Sequence, residues 1–245
     1  MLENNSWETI AQIAAAGEAQ EYWNIGDTKT ITVNGENLLM TIMGFDHYTL
    51  STSDTKYGDT TYNNGTNKAG ITFMATTIST DSQILFSSDS SAKYNYGYSD
   101  IKAYLEETLI NKFPFATELM RKVNIGYYGS NSPASNTDRQ SDYMSFSSDH
   151  KLFVPGYKEL GGTDLNISNQ TKFAYIAVNN VPDWKWPHEA TITYDICLRD
   201  VCYGTSAEYP WGSCVVMLDY DDGNPTYTGS QSAGVSGCYS FVFNF

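Results

Sequence analysis

Thr191-Ile-Thr-Tyr-Asp-Ile-Cys-Leu-Arg-Asp200, Val215-Val-Met-Leu-Asp-Tyr-Asp-Asp-Gly-Asn-Pro225 and Gly234-Val-Ser-Gly-Cys-Tyr-Ser-Phe-Val-Phe243 fall within the last quarter of the chain. Each is a short apolar or alternating run bounded by turn residues, the pattern of strands joined by loops. The chain therefore ends in a strand, residues 238–245, that has to be buried beside other strands.

A length of 245 residues allows one large domain or two small ones, and a single domain over 1–245 is the expectation. With 19 Tyr, 11 Phe and 5 Trp but only 17% charged residues, the composition suits a β-rich protein with a polar, adhesive surface. Twenty-eight acidic residues against 14 basic ones give a net charge of -14, a field that repels nucleic acid and anionic lipid. The first residues, Met1 to Trp7, lack a basic segment followed by an apolar core. No apolar run reaches the roughly 20 residues that span a bilayer. The expectation is a chain that is soluble in the cytoplasm where it is made, with no membrane insertion. Cys197, Cys202, Cys214 and Cys238 fit neither a CxxC pair nor a zinc knuckle and read as buried free thiols. A Cys197–Cys202 or Cys197–Cys238 disulfide is the alternative, and it needs an oxidising compartment.

Working outward from the C-terminal strands, Asn5 followed by Glu8, with Ile10, Ile13 and Ala14 before Gly17, predicts a capped N-terminal helix over 6–17. Thr30–Val33 and Leu38–Met43 read as strands around Asn34-Gly35, a dipeptide that tolerates the two positive φ angles of a tight hairpin turn. Gly44-Phe45-Asp46-His47 ends the second strand. Residues 51–95 read as loops around two apolar islands, Ile71–Met74 and Ile84–Phe86, with 57–67 an exposed loop. Ser99 is a good N-cap, Asp100 complements the helix dipole, and Ile101, Leu105 and Leu109 share one face. Pro114 suits the start of a further helix with Phe115, Leu119 and Val123 on one side. The polar stretch 126–148 reads as a surface excursion, and no repeat or heptad suggests a fibrous shaft.

Several of these pieces together resemble a bacteriophage and prophage family, common in gut bacteria and their phages, that has no assigned enzymatic activity. They are Trp23-x-x-Gly-Asp27 with the hairpin after it, Gly44-Phe45-Asp46-His47, Tyr96-x-x-Ser99-x-Ile101-Lys102-x-Tyr104-Leu105, Lys151-Leu-Phe-Val154, the Leu198-Arg199 strand and Gly234-x-x-x-Cys238-x-x-Phe241. Tyr96 stands where that family more often has Trp, and Lys102 where it has Arg. The resemblance implies an α+β, C-type-lectin-like (formylglycine-generating-enzyme-like) fold. That means mixed or antiparallel twisted sheets, two or three short helices and long loops. The fold has an oxidase relative that binds copper through two cysteines, but the residues around Cys197 and Cys202 do not resemble its signature.

Motif searches point to no enzyme: there is no Gly-x-Ser-x-Gly elbow, Walker loop, His-Glu-x-x-His or Rossmann fingerprint. His47, His150 and His188 are isolated in sequence. A pair of carboxylates can hydrolyse glycosides without any linear motif, and Glu106, Glu107, Glu189, Asp219, Asp221 and Asp222 are the candidates. Glu106 and Glu107 read as a solvated helix face. Asp221-Asp222-Gly223-Asn224 reads as a turn, with a calcium site the lesser reading because its spacing departs from an EF-hand. No cofactor or metal is expected.

A binding surface is the remaining reading. Trp184, Trp186, Tyr203, Tyr209, Trp211, Tyr220 and Tyr227 crowd the segments around the C-terminal strands, and Tyr and Trp supply rigid amphipathic contact area. With the family resemblance, this leads to the expectation of a virion protein of tail, baseplate or head, or else a bacterial cell-surface protein. Its expected partners are other virion proteins, further copies of itself, and a host glycan or protein. The alternatives are a purely structural decoration or connector of the virion and a carboxylate-dependent glycan hydrolase.

Overall fold

The computed structural model describes residues 1–33, 35–75, 84–85, 95–130, 143–162, 167, 170–179, 196–203, 213–218, 225–226 and 236–245; at 84–85, 143, 179, 196–197, 201–203, 213–218, 225–226 and 236–238 only the backbone is described. It is a mixed α+β structure with short helices and predominantly antiparallel sheets.

The N-terminal helix forms where the apolar spacing places it, as α1 (Trp7–Ala16), and Gly17 ends it in the left-handed conformation at φ 76°. Its cap is Ser6 and not Asn5. Ser6 Oγ accepts from the Thr9 amide at 3.1 Å, while the Asn5 side chain donates to the Met1 carbonyl. A second short helix, α2 (Ala19–Tyr22), leads into β1 (Thr28–Val33) and β2 (Glu36–Gly44). These strands pair antiparallel from Thr28–Thr41 to Val33–Glu36, leaving a two-residue connection. Asn34 lies outside the described residues, and Gly35 has φ 84°, as the turn chemistry requires.

Burial alternates along β1, whereas Met40, Ile42 and Met43 are all inaccessible. Strand β2 is therefore internal, flanked by β1 and β3 (Thr72–Ala75), with a bulge between Ile42 and Gly44. On the far side of β3 lies the last strand, β12 (Val242–Asn244), followed by β7 (Leu152–Phe153). The chain's closing strand thus occupies an inner place in the sheet that the N-terminal hairpin begins. The burial expected for residues 238–245 holds for 239–245, which are all buried.

A second sheet runs β10 (Pro225–Thr226), β9 (Ser213–Leu218), β8 (Ile196–Tyr203), β11 (Ser236–Tyr239), β4 (Ile84–Leu85). Within it β11 is parallel to β8 and the other pairings are antiparallel. Ser240 and Phe241 carry the chain from this sheet into the first.

Three expectations need correction. Residues 126–148 are not simply a surface excursion, because β5 (Val123–Ser130) and β6 (Tyr143–His150) form a regular antiparallel ladder across much of that stretch. The helix foreseen from Pro114 is a series of turns, and Val123 belongs to β5. Tyr62 and Asn63, in the loop expected to be exposed, are buried; Asn63 donates to Asp46 Oδ1 at 2.6 Å and to the Lys68 carbonyl.

Aromatic packing holds β12 in place. Phe243 stacks on Phe73 of the neighbouring strand at 5.5 Å between ring centroids, with Trp7, Phe113, Phe115 and Phe245 within 6.0 Å. Rings in offset or edge-to-face contact gain about 0.5–1.5 kcal/mol per pair beyond the burial itself. Phe243→Ala is expected to lower the unfolding free energy by about 3–5 kcal/mol, to be measured by urea titration. A loss under ~1 kcal/mol would show that β12 is not held by this cluster.

Candidate functional site

Two buried polar constellations stand out among the described residues. The first lies on β8. Arg199 and Asp200 follow one another on a strand with no solvent contact at either side chain, so both faces of β8 must supply partners. Arg199 donates from Nε to the Gly126 carbonyl at 2.7 Å, and from Nη1 to the Val154 carbonyl and Glu159 Oε2, both at 2.8 Å. Nη2 donates to Glu159 Oε1. The Phe153 ring lies under the guanidinium, 5.5 Å from its centroid. Asp200 accepts from the amides of Tyr128 and Tyr157 and from Gln170 Nε2. Burial pushes the Glu159 carboxyl up, but the charge and hydrogen bonds of Arg199 outweigh it and hold Glu159 below the usual range. For Asp200 burial prevails and its carboxyl is raised. The guanidinium and both carboxylates have their hydrogen bonds made inside the protein. The cluster pins β8 to β5 and to the turn at 155–160, and leaves no group aimed at a ligand.

His47 lies close to this cluster. It packs on Tyr48 at 4.5 Å and on Phe173 at 4.7 Å, and burial lowers its basicity, opposed by the charge of Glu159. It is a half-buried aromatic ring packed against the core.

The second constellation joins a helix to β6. Ser99 caps α3 (Asp100–Tyr104), its Oγ accepting from the Lys102 amide. The helix then widens into a single π-helical turn over Leu105–Leu109. Ile101, Leu105 and Leu109 are buried as their spacing foretold. Within the widened turn Glu106 is not a free solvated group. Its Oε2 accepts from Lys102 Nζ at 2.8 Å, and its Oε1 meets His150 Nδ1. Glu107 is exposed. Burial raises the Glu106 carboxyl, but the hydrogen bonds from His150 and Lys102 bring it down to about 2.

The other imidazole nitrogen, His150 Nε2, lies 2.5 Å from Ser148 Oγ. Ser148 and His150 are two residues apart on β6 and so share a face, with Ile125 and Val123 opposite them on β5. His150 is 2% exposed and Ser148 is half-buried, which puts the pair across the boundary between core and surface. Burial raises the Tyr127 phenol, and a hydrogen bond shared with Ser148 opposes that rise. In the neutral imidazole with its proton on Nδ1, that proton faces Glu106 and the Nε2 lone pair faces the serine hydroxyl. A carboxylate, an imidazole and a hydroxyl in this order can draw a proton from the hydroxyl as it attacks.

The residues expected from sequence to bind a ligand are not brought together by anything described. Trp184, Trp186, Tyr209, Trp211, Tyr220 and Tyr227 lie outside the described residues, as do His188, Glu189, Asp219, Asp221 and Asp222, and Tyr203 is described in its backbone alone. The backbone register sets Cys202 opposite Cys214, and Cys197 opposite Met217 and beside Tyr239, so the ladder aligns neither of the two disulfide pairings that were the alternative to free thiols. Among the described residues no group of three His, Cys, Asp or Glu side chains is placed to hold a metal ion, and no helix is long and apolar enough to cross a membrane. Sequence reasoning missed Ser148 altogether, because reading 126–148 as a loop concealed that Ser-x-His on a strand points both side chains one way.

Compared with known proteins, the chain matches no family model, no curated protein and no solved structure.

Removing one member of a buried ion pair strands the other. Arg199→Met and Glu159→Leu are each expected to cost about 3–5 kcal/mol in unfolding free energy. The double variant should recover only part of the loss, since the carbonyls of Gly126 and Val154 stay unpaired, and chemical denaturation of the three variants tests this. Glu106 has a carboxyl lower in the folded protein, about 2, than the ordinary 4.5. Its contribution to stability is therefore full above about pH 4.5 and fades as the pH falls toward 2. Glu106→Gln should flatten that part of the stability curve, as read from thermal unfolding at stepped pH.

Proposed function

We propose that this protein is a virion-associated phage component with a C-type-lectin-like fold, which presents the connections of its second sheet to a host glycan or protein. The observation that carries the reading is topological. The first and last strands of the chain lie in one sheet, while β8 to β11, with the connections 204–212, 219–224 and 227–235 between them, belong to another. Tyr209, Trp211, Tyr220 and Tyr227 lie in those connections, Tyr203 ends β8, and Trp184 and Trp186 precede it. An anchored sheet carrying long, variable connections is how lectin-like proteins separate stability from recognition. Aromatic side chains give such a surface contact area at low entropic cost. The net charge of -14 disfavours nucleic acid and anionic membranes as partners. Binding of this kind requires no cofactor and no catalysis.

A second reading has the same aromatic residues packing against neighbouring virion subunits, with the protein a decoration or connector. Purified protein incubated with host cells or isolated cell wall is expected to co-sediment with them, and Trp184→Ala/Trp186→Ala/Trp211→Ala should reduce the bound fraction at least tenfold. Failure to sediment, together with assembly on purified particles lost in the same variant, would replace the host-binding role with the structural one. Release of reducing sugar from the wall, abolished by Asp219→Asn or Asp221→Asn, would instead establish a glycan hydrolase.

A further inference from the structure

We propose that Ser148 is a nucleophilic serine, activated by His150 and oriented through it by Glu106, that acts on carboxylic esters. The proposal goes beyond the binding role and uses none of the residues assigned to it.

Packing alone does not demand the geometry of this site. Three side chains from two elements, separated by 44 positions between Glu106 and His150, line up so that each imidazole nitrogen has one partner. The carboxylate side is fixed twice. Lys102 Nζ holds the second oxygen of Glu106, and the π-helical turn places Glu106 toward β6 while Leu105 and Leu109 stay in the core. One-residue expansions of this kind in a helix often accompany functional sites. The Tyr96 ring meets the imidazole at an edge, 5.9 Å between centroids, and restrains its rotation. The hydroxyl end is half-buried, and Ser148 shares a hydrogen bond with the Tyr127 phenol as well as with His150. Strand β6 runs from the exposed Met144 through half-buried Phe146 and Ser148 to buried His150, so the base is shielded from water and the nucleophile lies at the rim. Beside Ser148 the buried Tyr127 ring stacks on Phe146 at 5.5 Å, and the exposed Tyr98 lies near Tyr127.

The reaction balances without a cofactor. Ser148 Oγ bonds to the acyl carbon as its proton passes to His150 Nε2. The bond from that carbon to the leaving oxygen breaks, and the alcohol departs with the proton from Nε2. Water then attacks the acyl-serine by the same route and releases the carboxylic acid, restoring the hydroxyl. Glu106 stays ionised throughout, holding the Nδ1 proton and stabilising the imidazolium.

A fluorophosphonate probe tests the proposal, because it brings its own leaving group and reports nucleophile and base together. The intact protein is expected to gain the mass of one probe, mapped by peptide analysis to Ser148, and to hydrolyse p-nitrophenyl acetate. Ser148→Ala should lose both and keep its thermal midpoint and its host binding. Glu106→Gln should label on the order of 10²-fold more slowly or worse, as when a triad loses the carboxylate that fixes its tautomer. It should also lose the downfield imidazole proton resonance that Ser148→Ala retains, which ties the slower labelling to the Glu106–His150 hydrogen bond. Should His150→Asn fail to fold, the partly exposed Glu106 carries the test. No label on the folded wild-type protein, label on another residue, or labelling at an unchanged rate in Glu106→Gln would overturn the proposal.

Discussion

A guanidinium and a carboxylate buried without solvent contact fix the arrangement on which the other parts rest. Arg199 and Glu159 belong to segments 40 positions apart, and neither can leave the other without exposing a bare charge to a medium that does not solvate it. Because Arg199 also takes the carbonyls of Gly126 and Val154, and the adjacent Asp200 takes the amides of Tyr128 and Tyr157, two consecutive residues decide how β8 sits on β5 and on the turn at 155–160. Apolar contacts in their place would tolerate sliding. A forked donor facing a forked acceptor does not, so the network contributes more to uniqueness of fold than to net stability.

The second constraint is the aromatic packing around β12. Phe243 and Phe245 reach Phe73 on β3 and Trp7 on α1, so the C-terminal strand, the N-terminal helix and the middle of the first sheet share one hydrophobic contact region. Lys29 extends this region to the surface, its ammonium over the Trp7 ring and bonded to the Glu3 carbonyl. Long cationic side chains commonly cover apolar surface in this way.

What could be read from sequence follows from how local each signal is. The β1–β2 hairpin, the Ser99 cap, the buried face of Ile101, Leu105 and Leu109, and the burial of the final strand all depend on residues within one or two turns of each other, and the structure contains them. Strands β5 and β6 were hidden because Gly126, Gly129 and the serines on β6 dilute the aliphatic pattern, leaving Tyr127, Tyr128 and Phe146 to form the packed surface. No periodicity could have joined Glu106 to His150, or Arg199 to Glu159, since those pairs exist only once the sheets have formed. The identity of Glu106 as a paired group also depended on the π-helical turn, whose extra residue shifts side chains off the regular helical stripe on which the solvated reading relied.

Strand β12 lies between β3 and β7, and it is synthesised after both of them. Until then β3 has an open inner edge and Phe73 lacks its stacking partner, while the parallel pairing of β11 with β8 spans more than thirty intervening positions. Contacts so distant in sequence form slowly, and unpaired inner strands are sticky while they wait. The first sheet can close only after synthesis of the whole segment is complete, which ties the yield of native protein to how long the nascent chain is kept from its neighbours.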